Sequence, residues 1–395
     1  MRIVLIAPFA THPKGTTRAR VVPLASALAA RGHRVTVLIP PWDNPEEAGR
    51  AETRGALTIR WLDLPRLART PRLSWQLARA ALRERPEVIH VFKPKAHSGL
   101  ALFWLWLGAS PVPRVLDSDD WEGRGGWNVV NPYTPAQKAF FQWQETFLPR
   151  RCAHAVTVAS RTLETQMWGL GRPPGQVLYL PNGAARTRYE GWAGGDPIPV
   201  RTRLGLGGRP SVLLYTRFAE FAVARAAEVM ARVIGQVREA QLLVVGRGFF
   251  QEEAALRREM AARGLEDHLA DAGWIEEGDL PAHLAAGDVA FFPLDDRLIN
   301  RAKCSAKLIE LMVAGRPIVA DAVGENREMI EHRVSGLLTP PGDTATQAAA
   351  LVALLRNPPV RYALGEAAQR RVWQEYDWDR LAGQAEAAYQ VAGRF

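Results

Sequence analysis

The chain has 395 residues, 47% hydrophobic and 23% charged, which is the balance of a folded protein with room for two cores and not that of a disordered one. Its 50 Lys and Arg against 41 Asp and Glu leave a net charge of +9, a field that favours an anionic partner such as a nucleotide, an anionic bilayer or nucleic acid. Cys152 and Cys304, the only cysteines, cannot build a disulfide framework, and no Cys/His cluster has zinc spacing, so the expectation is a reducing, cytoplasmic compartment and no metal.

Nucleic acid is the weakest of the three partners, because there is no zinc finger, no aromatic RNP-type strand and no basic-region zipper. The opening run from Met1 to Pro8 is too short for a secretory leader and no small-residue cleavage site follows it. It predicts a buried strand, Ile3–Ala7. A helix over Val21–Ala30 follows, with Pro23 tolerated in its first turn; Gly32 stops it, and Arg34–Pro40 is the next strand. The stretch from Arg66 to Arg83 is basic and amphipathic, which suits either a solvated helix face or contact with an anionic membrane surface.

Glu87–Phe92 predicts a further strand. His90, inside its apolar run, reads as a core histidine, whereas Lys93 lies just past the end, where doubly wound sheets meet ligands. Gly99–Val112 is apolar but shorter than the roughly 20 residues that span a bilayer, so it reads as a buried helix or as an apolar surface for membrane or acceptor. Strands at Arg114–Asp117, His154–Ala159 and Val177–Leu180 complete the first series, His154 being structural.

Around Pro181-Asn-Gly183 the alternation breaks, and residues 184–209 carry Gly, Pro and Arg without periodicity, as a linker does. It restarts with a strand at Ser211–Tyr215, a helix to about Val237, and strands at Gln241–Val245, Val289–Pro293 and Pro317–Ala320, before a helical ending from Arg361 to Phe395. Strands alternating with helices predict two parallel sheets, each covered on both faces.

The segment from Lys303 to Ala320 carries the most chemistry. Ser305 can cap a helix that runs to Ala314, Gly315 is placed to end it and Pro317 follows. Lys307 and Glu310 are three residues apart and so are neighbours on its surface. Free N–H groups at a helix start, with Lys303 and Lys307 beside them, make a diphosphate site, and a carboxylate one turn on can accept hydrogen bonds from ribose hydroxyls. The same residues also fit a surface helix with an ion pair.

This stretch, with Val323–Ile330 and Ser335–Leu338, resembles the donor-binding region of the family-four retaining glycosyltransferases. Other landmarks agree in order: Gly15 in Pro13-Lys-Gly-Thr-Thr17, Arg31-Gly-His-Arg-Val35, Pro181-Asn-Gly183, Tyr215-Thr-Arg-Phe218, Gly273-Trp274 and Gly287-Asp-Val289. The resemblance implies an α/β protein of GT-B architecture, with two doubly wound, Rossmann-like domains facing a central cleft. It implies an acceptor-side domain over residues 1–185, a linker over 186–209, a nucleotide-sugar donor domain over 210–375 and a terminal helix, about 376–395, packing back on the first domain. Glu310 then matches the ribose carboxylate, Arg217, Lys303 and Lys307 the diphosphate cations, and Gly15 a loop close to the donor. No cofactor beyond the nucleotide-sugar substrate is implied, and the acceptor stays open among glycan, lipid-linked and small molecules.

The chain departs from the family pattern at three places. Ala302 stands where a Glu often precedes the ribose carboxylate, Ala219–Ala224 lacks the lysine that usually follows the phosphate arginine, and Asp117-Ser-Asp-Asp-Trp121 stands where many members have a His. Asp119 or Asp120 can fill that role by contacting donor or acceptor hydroxyls, or can cap a loop, and Lys93 is the next candidate. Gly123, Gly125 and Gly126 suggest that this loop moves. A dehydrogenase is excluded by the single Gly between Ala7 and Arg18, where G-x-G-x-x-G is needed. A sugar-nucleotide epimerase of the same shape and a non-catalytic sugar-nucleotide binder remain as alternatives.

Overall fold

The computed structural model of the protein describes residues 1–12, 15–67 and 69–395. They form two compact units, one made of Met1–Ala185, Arg301–Cys304 and Tyr376–Phe395, the other of Arg186–Asn300 and Ser305–Glu375.

The first unit is built on strands β1 (Arg2–Ile6), β2 (Arg34–Ile39), β3 (Ala51–Arg54), β4 (Leu57–Trp61), β5 (Val88–Phe92), β6 (Arg114–Ser118), β7 (Ala155–Val158) and β8 (Val177–Tyr179). They form one sheet in the order β3-β4-β2-β1-β5-β6-β7-β8, parallel throughout except where β3 turns back on β4. Its helices are α1 (Val22–Ala30), α2 (Arg69–Arg83), α3 (Ala96–Leu107), α4 (Trp127–Val130), α5 (Pro135–Arg151) and α6 (Arg161–Gly169). The helix expected from Val21 is preceded by a wider turn, Thr17–Val21, that delivers Arg20 to the interior. At the start of α5, Thr134 and Gln137 cap each other, each side chain satisfying the other's backbone N–H.

The β3–β4 hairpin was not foreseen. Its strands are short, and the burial pattern of β3 is almost wholly exposed, so it carries little apolar periodicity. The core of this unit packs Ile3 and Leu5 against Leu24 and Leu28 of α1 and against Trp378, Leu381 and Tyr389 of the terminal helix, Trp378–Ala392. Gly183 permits that docking. A Cβ there would meet Leu381 at 2.7 Å and the Tyr376 carbonyl at 2.8 Å, so only glycine fits. Ala184 then bonds to Tyr376 and Trp378 across a short bridge, which divides the helical ending into two helices.

The second unit contains β9 (Ser211–Tyr215), β10 (Gln241–Val245), β11 (Leu269–Gly273), β12 (Val289–Phe292), β13 (Ile318–Asp321) and β14 (Leu337–Thr339), parallel throughout and ordered β11-β10-β9-β12-β13-β14. Residues 186–209 correct the linker expectation, since they fold onto this unit. They form α7 (Arg186–Tyr189) and α8 (Ile198–Arg203), and Arg201 of α8 donates to the Ala286 carbonyl at 2.6 Å and to Ser211 Oγ at 3.1 Å. After α9 (Val223–Ile234), α10 (Glu252–Ala261), α11 (Leu280–Ala285) and α12 (Leu298–Arg301) comes α13 (Ala306–Val313), and then α14 (Asn326–Met329), α15 (Thr344–Arg356) and α16 (Pro358–Glu375). Among the described residues no helix is long and apolar enough to cross a membrane.

Candidate active site

In the second unit the informative residues gather where β9, β10 and β11 end and α13 begins. Ser305 occupies the N-cap position of α13, but its hydroxyl makes no capping bond to the helix amides. One turn on, Glu310 is buried and heavily engaged. Its Oε2 accepts the Tyr215 hydroxyl at 2.8 Å, and its Oε1 accepts Arg188 Nη2 at 3.3 Å and the Tyr189 hydroxyl at 3.4 Å. Burial, and then the charge of Glu310, push both phenols above their usual range, so they stay protonated and donate. Burial works against the charge of Arg188, but Tyr189, Glu310 and Glu277 outweigh it and raise the guanidinium further. A carboxylate has about four lone-pair sites, so Glu310 can still take a hydroxyl from a ligand.

The cations follow the same edge. Lys307 Nζ lies 5.8 Å from the centre of the Tyr215 ring. Arg217, just past β9, holds its guanidinium 4.6 Å from Phe249 and 4.9 Å from Trp274, at the ends of β10 and β11. Its buried Nε has no hydrogen-bond partner. The next residue, Phe218, is held at φ +63 with its N–H on Thr216 Oγ1 at 2.8 Å, a costly conformation for a side chain of this size. The strand ends can come so close because Gly246 is glycine, a Cβ there lying 2.0 Å from the Thr216 carbonyl oxygen.

Lys303 belongs to the first unit, with its Nζ 5.6 Å from the Trp127 ring centre. Ala302 is fully buried and its carbonyl accepts Ser160 Oγ at 2.7 Å. Gly15 is exposed with open space where a Cβ would stand, and Pro13 and Lys14 of its motif lie outside the described residues.

In the first unit, Lys93 sits past β5 at φ +61, almost fully buried among carboxylates: Asp120 at 2.8 Å, Glu122 at 3.3 Å and Asp119 at 3.4 Å. Asp119 also accepts Thr16 Oγ1 at 3.1 Å. Burial pushes the Asp119 carboxyl above its usual range against the pull of Lys93. For Asp120 burial is outweighed by Lys93, then Lys303 and Trp127, and the carboxyl is held below its usual range. Glu145, which accepts the Glu122 N–H at 2.8 Å, is raised well above its ordinary value by burial.

In the loop after these aspartates two of the glycines have a packing role. A Cβ on Gly126 would lie 1.9 Å from the Trp121 carbonyl oxygen, and one on Gly123 would strike Gln142 and Trp121, so these glycines let the loop wrap tightly around Trp121. His90 is a core residue bonded to the Tyr389 hydroxyl at 3.0 Å and Thr157 Oγ1 at 3.1 Å, and burial lowers its pKa to about 4.

Sequence reasoning missed Arg20, Arg188 and Tyr189. Arg20 pairs with Asp117 through one guanidinium edge, Nε at 2.7 Å and Nη2 at 2.6 Å, and ties in the carbonyls of Leu180 and Pro181. Its only signal was an arginine inside an apolar helical start. Arg188 and Tyr189 were hidden in the supposed linker. Among the described residues no group of His, Cys, Asp or Glu is placed to hold a metal ion.

Residues 15–183 match the glycosyl transferase 4-like domain and residues 209–357 match glycosyl transferases group 1. Phosphatidyl-myo-inositol mannosyltransferase of Mycobacterium leprae is 28% identical over 403 residues, taking in 99% of this chain and 97% of that protein. Sucrose-phosphate synthase of Thermosynechococcus elongatus has a similar structure, with a TM-score of 0.73 at 20% identity over 98% of each chain. Anabaena HepE in complex with UDP-glucose gives 0.71 at 18% identity, again over 98% of each. With both domains matched in their order along the chain and the fold that of the GT-B enzymes, the protein belongs to the family-four glycosyltransferases.

Proposed function

We propose that the protein moves a sugar from a nucleotide-sugar donor to a lipid-linked acceptor, with retention of configuration at the transferred carbon. The observation that carries the donor half is the Tyr215–Glu310–Tyr189–Arg188 cluster next to the uncapped start of α13. Glu310 accepts a ribose hydroxyl, held in place before the ligand arrives by two neutral phenols and a guanidinium. Arg217, Lys307 and the backbone amides at the start of α13 hold the diphosphate. Breaking the glycosyl–phosphate bond builds negative charge on that leaving group, and fixed cations and oriented amides stabilise it without reorganising.

On the acceptor side, Asp120 is the candidate for orienting a hydroxyl and Asp119 beside it the candidate base for the incoming proton, with the Lys93 ammonium close to both. The retaining outcome is supported by the resemblance to the retaining members of the family. The lipid-linked acceptor is supported by the name of the mycobacterial relative and by the basic, aromatic surface of the first unit.

A thermal-shift screen of nucleotide sugars tests the donor half, because a ligand that binds only the native state raises apparent stability by mass action. Product analysis with the hit tests the rest. A new glycosidic bond to lipid with the donor's anomeric configuration supports transfer, whereas release of a free epimer would make the protein an isomerase. Absence of any stabilising nucleotide sugar would sink the reading.

A further inference from the structure

The outer faces of α2 and α5 repeat one pattern. Arg72, Trp75, Arg79, Leu82 and Arg83 on α2 are spaced three, four, three and one apart, as are Phe140, Trp143, Phe147, Arg150 and Arg151 on α5. At 3.6 residues per turn, each set falls on a single stripe of its helix. All of the α2 set is exposed, as are Arg150 and Arg151, and the α5 rings are half-buried.

Between them α3 supplies a continuous bridge of rings. Trp75 meets Trp104 edge-on at 6.1 Å, Trp104 meets Phe103 at 5.7 Å, and Phe103 meets Trp143 at 5.5 Å. Trp143 in turn stacks on Phe147 at 5.3 Å and on Phe140 at 5.9 Å. Phe103, Trp104 and Trp106 of α3 are half-buried and Leu107 beside them is 58% exposed, so this array is not sealed as a core would be.

The charges on the same layer have one sign. The three helices hold a single carboxylate, Glu145, and it is buried. The exposed charges are cations: Arg72, Arg79, Arg83, Lys138, Arg150 and Arg151. An ordinary solvated helix layer mixes both signs. Rings with a polar edge, flanked by arginines and free of acids, match the boundary between headgroups and acyl chains, where Trp is favoured and anionic phosphates attract Arg.

We propose that the outer face of α2, α3 and α5 docks on the surface of an anionic bilayer, and that the acceptor is taken from that bilayer. The docking stands on this surface alone, and the acceptor's source rests on the glycosyl-transfer reading above. The probe is co-sedimentation of the full chain with vesicles of phosphatidylcholine alone and of phosphatidylcholine mixed with phosphatidylglycerol.

The wild type should bind the mixed vesicles, release at high salt and shift its Trp emission to the blue. Combined Arg72→Ser, Arg79→Ser and Arg83→Ser should weaken partitioning on the order of 100-fold at low salt. Trp106→Ser with Trp143→Ser should also lose the vesicles. If that variant does not fold, Leu107→Asp at an exposed position serves instead. Circular dichroism and thermal unfolding, unchanged in these variants, check their fold.

Wild-type protein that ignores the mixed vesicles overturns the proposal, and so does an arginine variant that binds them normally. A dimer broken by these substitutions, with no vesicle binding, makes the face a contact between copies of the chain and overturns it too. Vesicle binding without binding of any nucleotide sugar would leave the docking surface standing and sink the transfer reading, and the reverse result would sink the docking alone.

Discussion

The Tyr215 hydroxyl donates to Glu310 Oε2 at 2.8 Å, tying the last residue of a central strand to the second turn of the helix that begins at the same sheet edge. Removing the carboxylate leaves two buried phenols and a guanidinium without their acceptor. Glu310→Ala is expected to weaken nucleotide-sugar binding by about 1–3 kcal/mol, and Tyr215→Phe by about 0.5–1.5 kcal/mol. Titration calorimetry on folded variants measures both. An unchanged dissociation constant in Glu310→Ala would remove Glu310 from the site.

Arg217 is held by two aromatic faces, which fixes its direction before any anion arrives. Arg217→Ala should cost about 1.5–3 kcal/mol of nucleotide-sugar affinity, while affinity for the nucleoside without phosphates stays the same. Equal losses for both ligands would mean that Arg217 supports the fold of the site and does not touch the diphosphate. Arg217→Lys should recover only part of the loss, since a lysine lacks the planar fork.

Asp119 and Asp120 flank one lysine with pKa values displaced in opposite directions. Asp120→Asn keeps the size and removes the charge, and turnover should fall about 100-fold or more with little change in donor affinity. Asp119→Asn should show a comparable loss if this carboxyl accepts the proton. Near-normal turnover in both variants would move attention to Lys93.

Burial pushes the Glu145 pKa well above the ordinary value, which favours the neutral carboxyl. Glu145→Gln, which can still accept the Glu122 N–H, should therefore change stability by less than about 1 kcal/mol. Glu145→Ala leaves that N–H unpaired and opens a cavity, and should cost about 2–4 kcal/mol. Urea titrations of the pair test this, and equal losses would show that Glu145 is ionised.

The terminal helix is fastened by Glu386, which takes Arg31 through Nε at 2.8 Å and Nη2 at 2.7 Å and also meets His33 at 2.8 Å. The Arg31 hydrogen bond, the largest influence, helps lower the Glu386 pKa to about 2. A carboxylate depressed in the folded state adds stability above its unfolded pKa and loses it as pH falls through the folded one. Glu386→Gln should thus cost about 1 kcal/mol near neutral pH, a partly exposed pair being worth no more, and the gap should close between roughly pH 4.5 and 2. A difference that persists below pH 2 would mean a packing effect.

Local sequence was enough for most of the sheets. Ser211–Tyr215 and Gln241–Val245 were legible to the residue because short apolar runs bounded by Gly, Pro and charges have one stable use, as strands buried on both faces. The start of α13 was also legible, since Ser305, the apolar face and Gly315 lie within one stretch of chain. The exposed strand β3 and the short helices within 186–209 were not, because they carry weak periodicity and are stabilised by what they pack on, whereas β4 alternates apolar and polar residues from Leu57 to Trp61 and was in principle readable.

What only the tertiary structure decided is which side chains meet. Lys93 and Asp120 are 27 residues apart, Arg20 and Asp117 are 97, Tyr189 and Glu310 are 121, and nothing in the composition of either partner names the other. The resemblance placed Glu310 beside a ribose and the aspartates beside an acceptor, but the phenols that hold Glu310 and the lysine that splits Asp119 from Asp120 belong to distant strands and loops. Burial makes these pairings matter. A charge removed from water must find its partner within a few ångströms, and the fold alone determines which partner is there.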